Sequence, residues 1–516
     1  MRTGKALQRI MPSYVVAAAL VAATLLSADT AQAQKSFRTT AQKGFLANQG
    51  LLKLTQGRGK YPGGGDGGGG NRGGGGRGPG FGGGGFSIMI PLPGGGGGGD
   101  RPPRRNVEDD DKPSKPPKKK STGKSDGSPP TIIARPQPRP AGTPPAPIGP
   151  LVGDQRDREI LVTLADATSD NVVTGLGRAY RLDRQSNFQS LTLGVRLVRF
   201  RIPDRRGLDE VMNQLAGDVR VLAVQPVYIY LFSQGAAASA VAAPQYAADK
   251  VRLTEAHRLA RGRNVPIVII DTGVDATHPE LKGAAIQSFD AVGSGKSVAE
   301  PHGTAIAGIV GAREQLTGMA PDARIVAVRA FAQNAAGRFE GTTETLIKGI
   351  DMGLKNGGRL FNLSFTGPRD PSVEQIIRIA EGKGAVFIAA AGNGGPAAPA
   401  AFPAAYDTVV AVTAVDSGDK LYARANRGSY IALAAPGVDI LALAPKRGYE
   451  LSSGTSLAAA HVSGIVALMM ERRPSLRSAD IRRLLADSAR RGEQNWAQQD
   501  FGAGVVDAAR ALEALN

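Results

Sequence analysis

No cysteine occurs in the 516 residues, which removes disulfides, thiol nucleophiles and thiolate metal sites together. Histidine is nearly as scarce, with four in the chain: His257, His278, His302 and His461. Imidazole chemistry therefore rests on a short list. Apolar runs long enough to cross a bilayer are also missing, since the best of them, Val15–Leu26, is a dozen residues against the roughly 20 that a span needs. That run has Arg2, Lys5 and Arg9 before it and Ala31-Gln32-Ala33 after it. This is the three-part pattern of a secretory signal peptide over residues 1–33, cut after Ala33. The reading implies export, to the medium or the periplasm, and an exported chain without disulfides must be held by its core, with bound ions as the other available support.

What the chain has in excess is glycine, proline and positive charge, all unevenly spread. Of its 69 glycines, 23 fall between residues 62 and 99, so residues 34–155 cannot build a core. The net charge of +18 is divided just as unequally: Gln245–Asn516 carries 30 Lys+Arg against 27 Asp+Glu, leaving +15 on residues 1–244. Arg72-Gly73 and Arg77-Gly78 among glycines, and Lys118-Lys119-Lys120 among prolines, read as a solvated, disordered tether. An arginine-glycine RNA-binding arm is the competing reading, and export argues against it.

Order returns near Arg156. Ile160–Leu164 reads as a strand, Asn171–Tyr180 as a helix, Leu191–Ile202 as a strand pair broken at Gly194, Gly207–Leu215 as a helix and Val219–Leu231 as a last strand. The order β-α-β-β-α-β predicts a small ferredoxin-like α+β domain over residues 156–234. From Gln245 the pattern changes. Val265–Ile270, Ile325–Val328, Leu360–Leu363, Val386–Ala390 and Thr408–Val412 are short apolar runs, and helical stretches such as Thr342–Leu354 and Pro371–Glu381 lie between them. Residues 245–516 are therefore expected to form a three-layer α/β domain with a largely parallel sheet, its chemistry at the carboxyl ends of the strands.

Three residues stand at such places. Asp271 closes the first run and is followed by Thr272-Gly273; this Asp-Thr-Gly has no second copy, as an aspartic-protease dyad within one chain would require. His302 is held between Pro301 and Gly303 before small residues that suit a closely packed helix. Ser456 lies in Gly454-Thr455-Ser456 ahead of the apolar run Leu457–Met470, where it is either an N-cap or a nucleophile at the positive end of a helix. His461, five residues on, is turned about 500° from Ser456 on a helix, with a rise of roughly 7.5 Å. It predicts a packed histidine, and His302 is the base candidate with a fitting context.

In that order Asp271, His302 and Ser456 resemble the subtilisin-like serine proteases (subtilases, peptidase family S8). Val268–Asp275 (VIIDTGVD), His302–Gly308 (HGTAIAG) and Gly454–Gly464 (GTSLAAAHVSG) resemble the family's aspartate, histidine and serine blocks. The resemblance covers about Gln245–Asn516, with a looser one between Arg156–Gln234 and the family's propeptide. It implies that Ser456 attacks the scissile carbonyl, His302 carries the proton and Asp271 orients the imidazole. It also implies that Asn393, in Ala390-Ala391-Gly392-Asn393, donates to the oxyanion; a turn asparagine before Gly394-Gly395 is the alternative. Ser364, Phe365 and Thr366 would pair with extended peptide, and Gly392 and Ala401 would line the primary pocket. No acidic residue is placed there to attract Lys or Arg, so a broad or apolar preference follows.

The chain departs from the family pattern in places. Ala459-Ala460 replaces the usual Ser-Pro, Ala305 replaces a second histidine and Thr366 stands where glycine is common. Gly311–Pro321 is too short for the usual calcium loop, and Glu280 stands where that site often uses aspartate. No cofactor is expected from these residues, and weaker calcium sites elsewhere stay open. The expected partners are protein or peptide substrates and the chain's own propeptide as intramolecular inhibitor. No specific nucleic acid is expected, and the protein should be a monomer. An exported binding protein, with an inactive subtilase-like domain and a basic arm for acidic polymers, is the reading from a different class.

Overall fold

The structure is a computed structural model that describes residues 155–232, 245–295, 299–492 and 496–515. The residues read as a signal peptide, the Gly/Pro-rich segment and most of the stretch between the two ordered units lie outside the described residues.

The first unit runs β1 (Gln155–Ala165), α1 (Asp170–Tyr180), β2 (Asp183–Ser190), β3 (Val195–Arg201), α2 (Leu208–Ala216) and β4 (Val221–Leu231). The order is the expected one. One boundary differs: the strand pair begins at Asp183, and Leu191–Gly194 is the turn within it. Asp183–Ser190 (DRQSNFQS) has largely exposed or half-buried side chains, so it lacks the apolar alternation that marks a strand in sequence. Ile160, Val162, Leu176, Phe200, Val211 and Leu215 close a core belonging to this unit alone.

The second unit contains β5 (Pro266–Asp271), β6 (Ala285–Asp290), α3 (Pro301–Gly311), β7 (Arg324–Arg329), β8 (Ala332–Gln333), β9 (Phe339–Thr342), α4 (Thr343–Lys355), β10 (Leu360–Leu363), α5 (Pro371–Gly382), β11 (Val386–Ala390), β12 (Val409–Val415), β13 (Leu433–Pro436), β14 (Ile440–Ala444), β15 (Gly448–Ser452) and α6 (Thr455–Arg472). Seven strands form a parallel sheet in the order β13-β12-β11-β10-β5-β7-β6. Both its faces are covered. Ile267, Ile269, Ile325, Ile388 and Val410 pack with α3 and α6 on one side, while Val268, Ile270, Val326, Phe361 and Phe387 pack with α4 and α5 on the other. This is the expected three-layer α/β arrangement. Strands β6 and β13 are not among the runs read from sequence: β6 (AIQSFD) is an edge strand with largely exposed or half-buried side chains, and β13 (LAAP) is four buried residues ending in proline. Helix α6 is buried over Thr455–Met470, as a helix apolar on all sides must be. Among the described residues no helix is long and apolar enough to cross a membrane.

The chain leaves β5 toward β6 and β7 on one side, and the crossover through α4 returns it to β10 on the other. The carboxyl end of β5 is therefore a switch point, where a crevice opens. The two units meet there. Strand β4 pairs antiparallel with β9, setting Ile229 against Thr342, Tyr230 against Gly341 and Leu231 against Glu340. On its other side, Leu231 and Thr366 exchange both backbone hydrogen bonds, at 2.8 and 3.0 Å. Behind this strand, the buried Gln225 amide donates to Asp370 at 2.9 Å and accepts from the Ser372 hydroxyl at 2.7 Å. Arg199 meets the buried Glu344 at 2.8 Å. Small-unit side chains thus reach carboxylates at the starts of both covering helices.

Candidate active site

Asp271 ends β5 with no exposed surface. Its Oδ1 accepts the Thr272 backbone N–H at 2.7 Å, and its two carboxylate oxygens lie 2.8 and 3.0 Å from Nδ1 of His302. The bond assigns the proton to Nδ1 and leaves Nε2 as the basic nitrogen. His302 stands in the first turn of α3, with Pro301 ahead of it. Its neighbour Gly303 donates to the Thr272 hydroxyl at 2.9 Å, and a Cβ there would lie 2.8 Å from the Gly273 carbonyl. Only glycine lets the helix start press this closely against the turn after β5.

Ser456 is the second residue of α6. Its hydroxyl donates to the Ser364 carbonyl at 2.9 Å, and the Ser364 hydroxyl donates to the Ser456 carbonyl at 3.0 Å. The Asn362 amide donates to the Ser364 hydroxyl at 2.8 Å and its Oδ1 accepts from Ser463 at 2.9 Å. All of this is buried. The nucleophile candidate is thus fixed to the edge segment after β10 by side chains that spacing alone did not pick out. Its hydroxyl is turned to Ser364.

Asn393 follows β11 and is buried; its Oδ1 accepts from the Thr455 backbone N–H at 3.0 Å and the Thr455 hydroxyl at 2.9 Å. The carbonyl end being so held, Nδ2 lies beside Gly454, 3.1 Å from where a Cβ would stand. The amide and the start of α6 form one fixed corner. Gly392 takes a left-handed φ of 113°, and a Cβ there would strike the Asn426 side chain at 2.6 Å. Ala401 is half-buried just before Phe402, which bridges to Gly367. Phe365 is buried against Tyr230, with ring centroids 5.7 Å apart, and against Phe331 at 5.0 Å.

The other histidines lie elsewhere. His461 is buried, with Nδ1 donating to the Leu457 carbonyl at 2.8 Å one turn back, and burial pushes its pKa down to about 4. His278 receives the Glu280 N–H and contacts the Gly448 carbonyl, and His257 contacts the Met319 carbonyl. Sequence reasoning missed Glu450 on β15, a half-buried carboxyl that burial pushes up while nearby His302 pulls it back. It also missed Phe232, whose ring lies 4.0 Å from that of His302.

A sequence model described as the subtilase family matches residues 262–504. Subtilisin DY of Bacillus licheniformis is 32% identical over 278 residues, 52% of this chain and 97% of that protein. The chain belongs to the subtilase family. Thermitase of Thermoactinomyces vulgaris is 34% identical over 232 residues, covering 44% of this subtilase and 81% of the relative. A thermophilic serine proteinase of Bacillus sp. strain AK1 is 39% identical over 210 residues, 39% of this chain; the subtilase spans 51% of that relative's length. Among solved structures, fervidolysin from Fervidobacterium pennivorans, a keratinolytic enzyme related to subtilisin, matches with a TM-score of 0.60 at 22% identity. That match covers 72% of this chain and 63% of the other, and it supports the fold.

The calcium loop implied by the family does not fit here. Glu280 is fully buried and accepts N–H bonds from Glu314, Gln315 and Leu316 at 3.0–3.2 Å, together with the Tyr449 hydroxyl at 2.6 Å. The Gln245 side chain pairs with both backbone groups of Thr317, at 2.9 and 3.2 Å. A carboxylate ringed by donors has its lone pairs taken, whereas a calcium site gathers oxygens. Any calcium dependence of the thermal midpoint should therefore be the same in wild type and in Glu280→Ala, while Glu280→Ala should itself cost on the order of 3 kcal/mol through buried donors left unpaired. A chelation effect that Glu280→Ala abolishes would place a cation at this loop instead.

Proposed function

We propose that this subtilase is an exported serine endopeptidase in which Ser456 is the nucleophile, His302 the general base and acid, Asp271 the orienting carboxylate and Asn393 an oxyanion donor. The 2.8 Å contact of a buried carboxylate with Nδ1 of His302 carries the reading. It sets the tautomer that a base needs and stabilises the imidazolium formed when Nε2 takes the serine proton. The carbonyl oxygen, becoming an anion, then meets the Asn393 amide and the Ser456 backbone N–H at the start of α6. Ser364 and Thr366 offer backbone groups for an added substrate strand, and Gly392 and Ala401 line the primary pocket with Phe365 on its wall, giving a broad or apolar preference.

The same geometry supports self-processing of a monomer. Strand β4 already lies between β9 and Thr366 as a substrate strand would. In an antiparallel register, two residues beyond the Leu231–Thr366 pair, position 233 would face Ser364, whose carbonyl receives the Ser456 hydroxyl. The bond offered to the nucleophile is then Ser233–Gln234. The unit read over residues 156–234, up to the cut after Ser233, acts as an inhibitory propeptide, and removal of the signal peptide over residues 1–33 precedes this step.

The test is a fluorophosphonate probe, which phosphonylates an activated serine. Adduct mapping by mass spectrometry should place the label on Ser456, and Ser456→Ala should abolish it. An unlabelled wild type would instead favour the binding-protein reading.

A further inference from the structure

The ring of Phe232 contacts two others. It meets the His302 imidazole at 4.0 Å between centroids with planes 40° apart, and it meets Phe331 at 4.3 Å and 46°. Phe331 is itself fixed. It is 1% exposed, its N–H and that of Ala330 donate to the Asp271 carbonyl at 3.3 and 2.8 Å, and Phe365 backs it at 5.0 Å. On the remaining side, a Cβ on Gly341 would come within 2.9 Å of its ring. The backbone carrying Phe331 is thus tied to the residue that orients the base, and the slot between the two rings has a set width.

From this we infer that Phe331 is a specificity-determining residue, giving the enzyme a preference for substrates with an aromatic side chain one residue before the residue whose carbonyl is attacked. The inference rests on the proposed function, because Phe232 takes that place only if position 233 faces Ser456. An aromatic side chain fills the slot with two tilted ring contacts and removes water from one face of His302. A methyl group in its place leaves Phe331 without its partner ring. Aromatic contacts of this kind, added to burial, amount to roughly a ten-fold difference in kcat/KM. Phe331 makes no contact with the reacting atoms, so its effect falls on the ratio between substrates.

The experiment compares two acyl-tetrapeptide anilides, Ala-Ala-Phe-Ala and Ala-Ala-Ala-Ala, on the purified enzyme, with rates normalised to sites counted by fluorophosphonate labelling. Wild type should cleave the first roughly ten-fold better. Phe331→Leu, which keeps an apolar side chain in the core, should reduce the ratio to about three-fold or less. Phe331→Ala should take it lower if that variant folds. Exchanging Ala for Val at the first position of both peptides should leave the wild-type ratio unchanged. Equal cleavage of both peptides by wild type would overturn the inference while leaving the endopeptidase reading intact, and so would an undiminished ratio in Phe331→Leu. Failure to cleave either peptide, with no labelled serine, would overturn the endopeptidase reading and this inference with it.

Discussion

Replacing His302 by Ala is expected to lower turnover by about 10⁶, a size borrowed from a subtilisin of the same family, while His461→Asn leaves turnover within a few-fold of wild type. The two residues share an element type and differ in everything the chemistry needs. His302 has a carboxylate at 2.8 Å on Nδ1 and a half-exposed position at the crevice, whereas His461 is buried with Nδ1 spent on its own helix. His461 should instead govern acid stability. Its folded pKa of about 4 lies below the ordinary 6.5, so between those values the unfolded chain binds a proton that the folded site refuses. Stability is therefore lost as pH falls through that window, by about 3 kcal/mol in all. In His461→Asn that acid slope should disappear from denaturation curves recorded between pH 7 and 4. Equal catalytic losses at the two positions would show that helix geometry had been misjudged.

Ser456→Ala is expected to accumulate an uncut precursor, where the wild type yields a fragment beginning at Gln234. Backbone exchange ties Leu231 to Thr366, and Ser364, two residues before Thr366, is bonded to Ser456 in both directions; the same antiparallel register, if continued, would bring position 233 opposite Ser364. Release of the small unit has opposing contributions. Gln225 must leave the buried Asp370, whose carboxyl is pushed up by burial, and Arg199 must leave Glu344, whose carboxyl is held low by Lys348, Ser186 and Arg199 against the upward push of burial. Cutting at Ser233–Gln234 would also remove the Gly-rich arm with most of the excess charge, since Gln245–Asn516 carries only +3. The mature enzyme would lose the strong long-range attraction of the arm for anionic surfaces.

The residues legible in sequence are those whose environment is set by neighbours along the chain. Asp271 follows an apolar run, His302 sits between Pro301 and Gly303, and Ser456 opens an apolar helix. Buried parallel strands show as apolar runs, continuous in Val386–Ala390 and interrupted by Asn362 in Leu360–Leu363, and their bounds agree with the structure. What was not legible depends on residues far apart. Asn362 and Ser463 are 101 positions apart, and Thr455 holds Asn393 across 62. Phe232 reaches His302 from a different unit. A polar edge strand such as Asp183–Ser190 is likewise set by its neighbour and not by its own pattern. The calcium loop was legible as a shortening, but the Glu280 carboxylate that replaces a cation with backbone donors was not.

The intact mass of the chain after expression in a host lacking related proteases, wild type beside Ser456→Ala, tests the central claim most directly. The account predicts a wild-type fragment running from Gln234 to Asn516 and a Ser456→Ala chain that retains residues 156–234. A wild-type start at a residue other than Gln234, or a Ser456→Ala chain cut as efficiently as wild type, would contradict it.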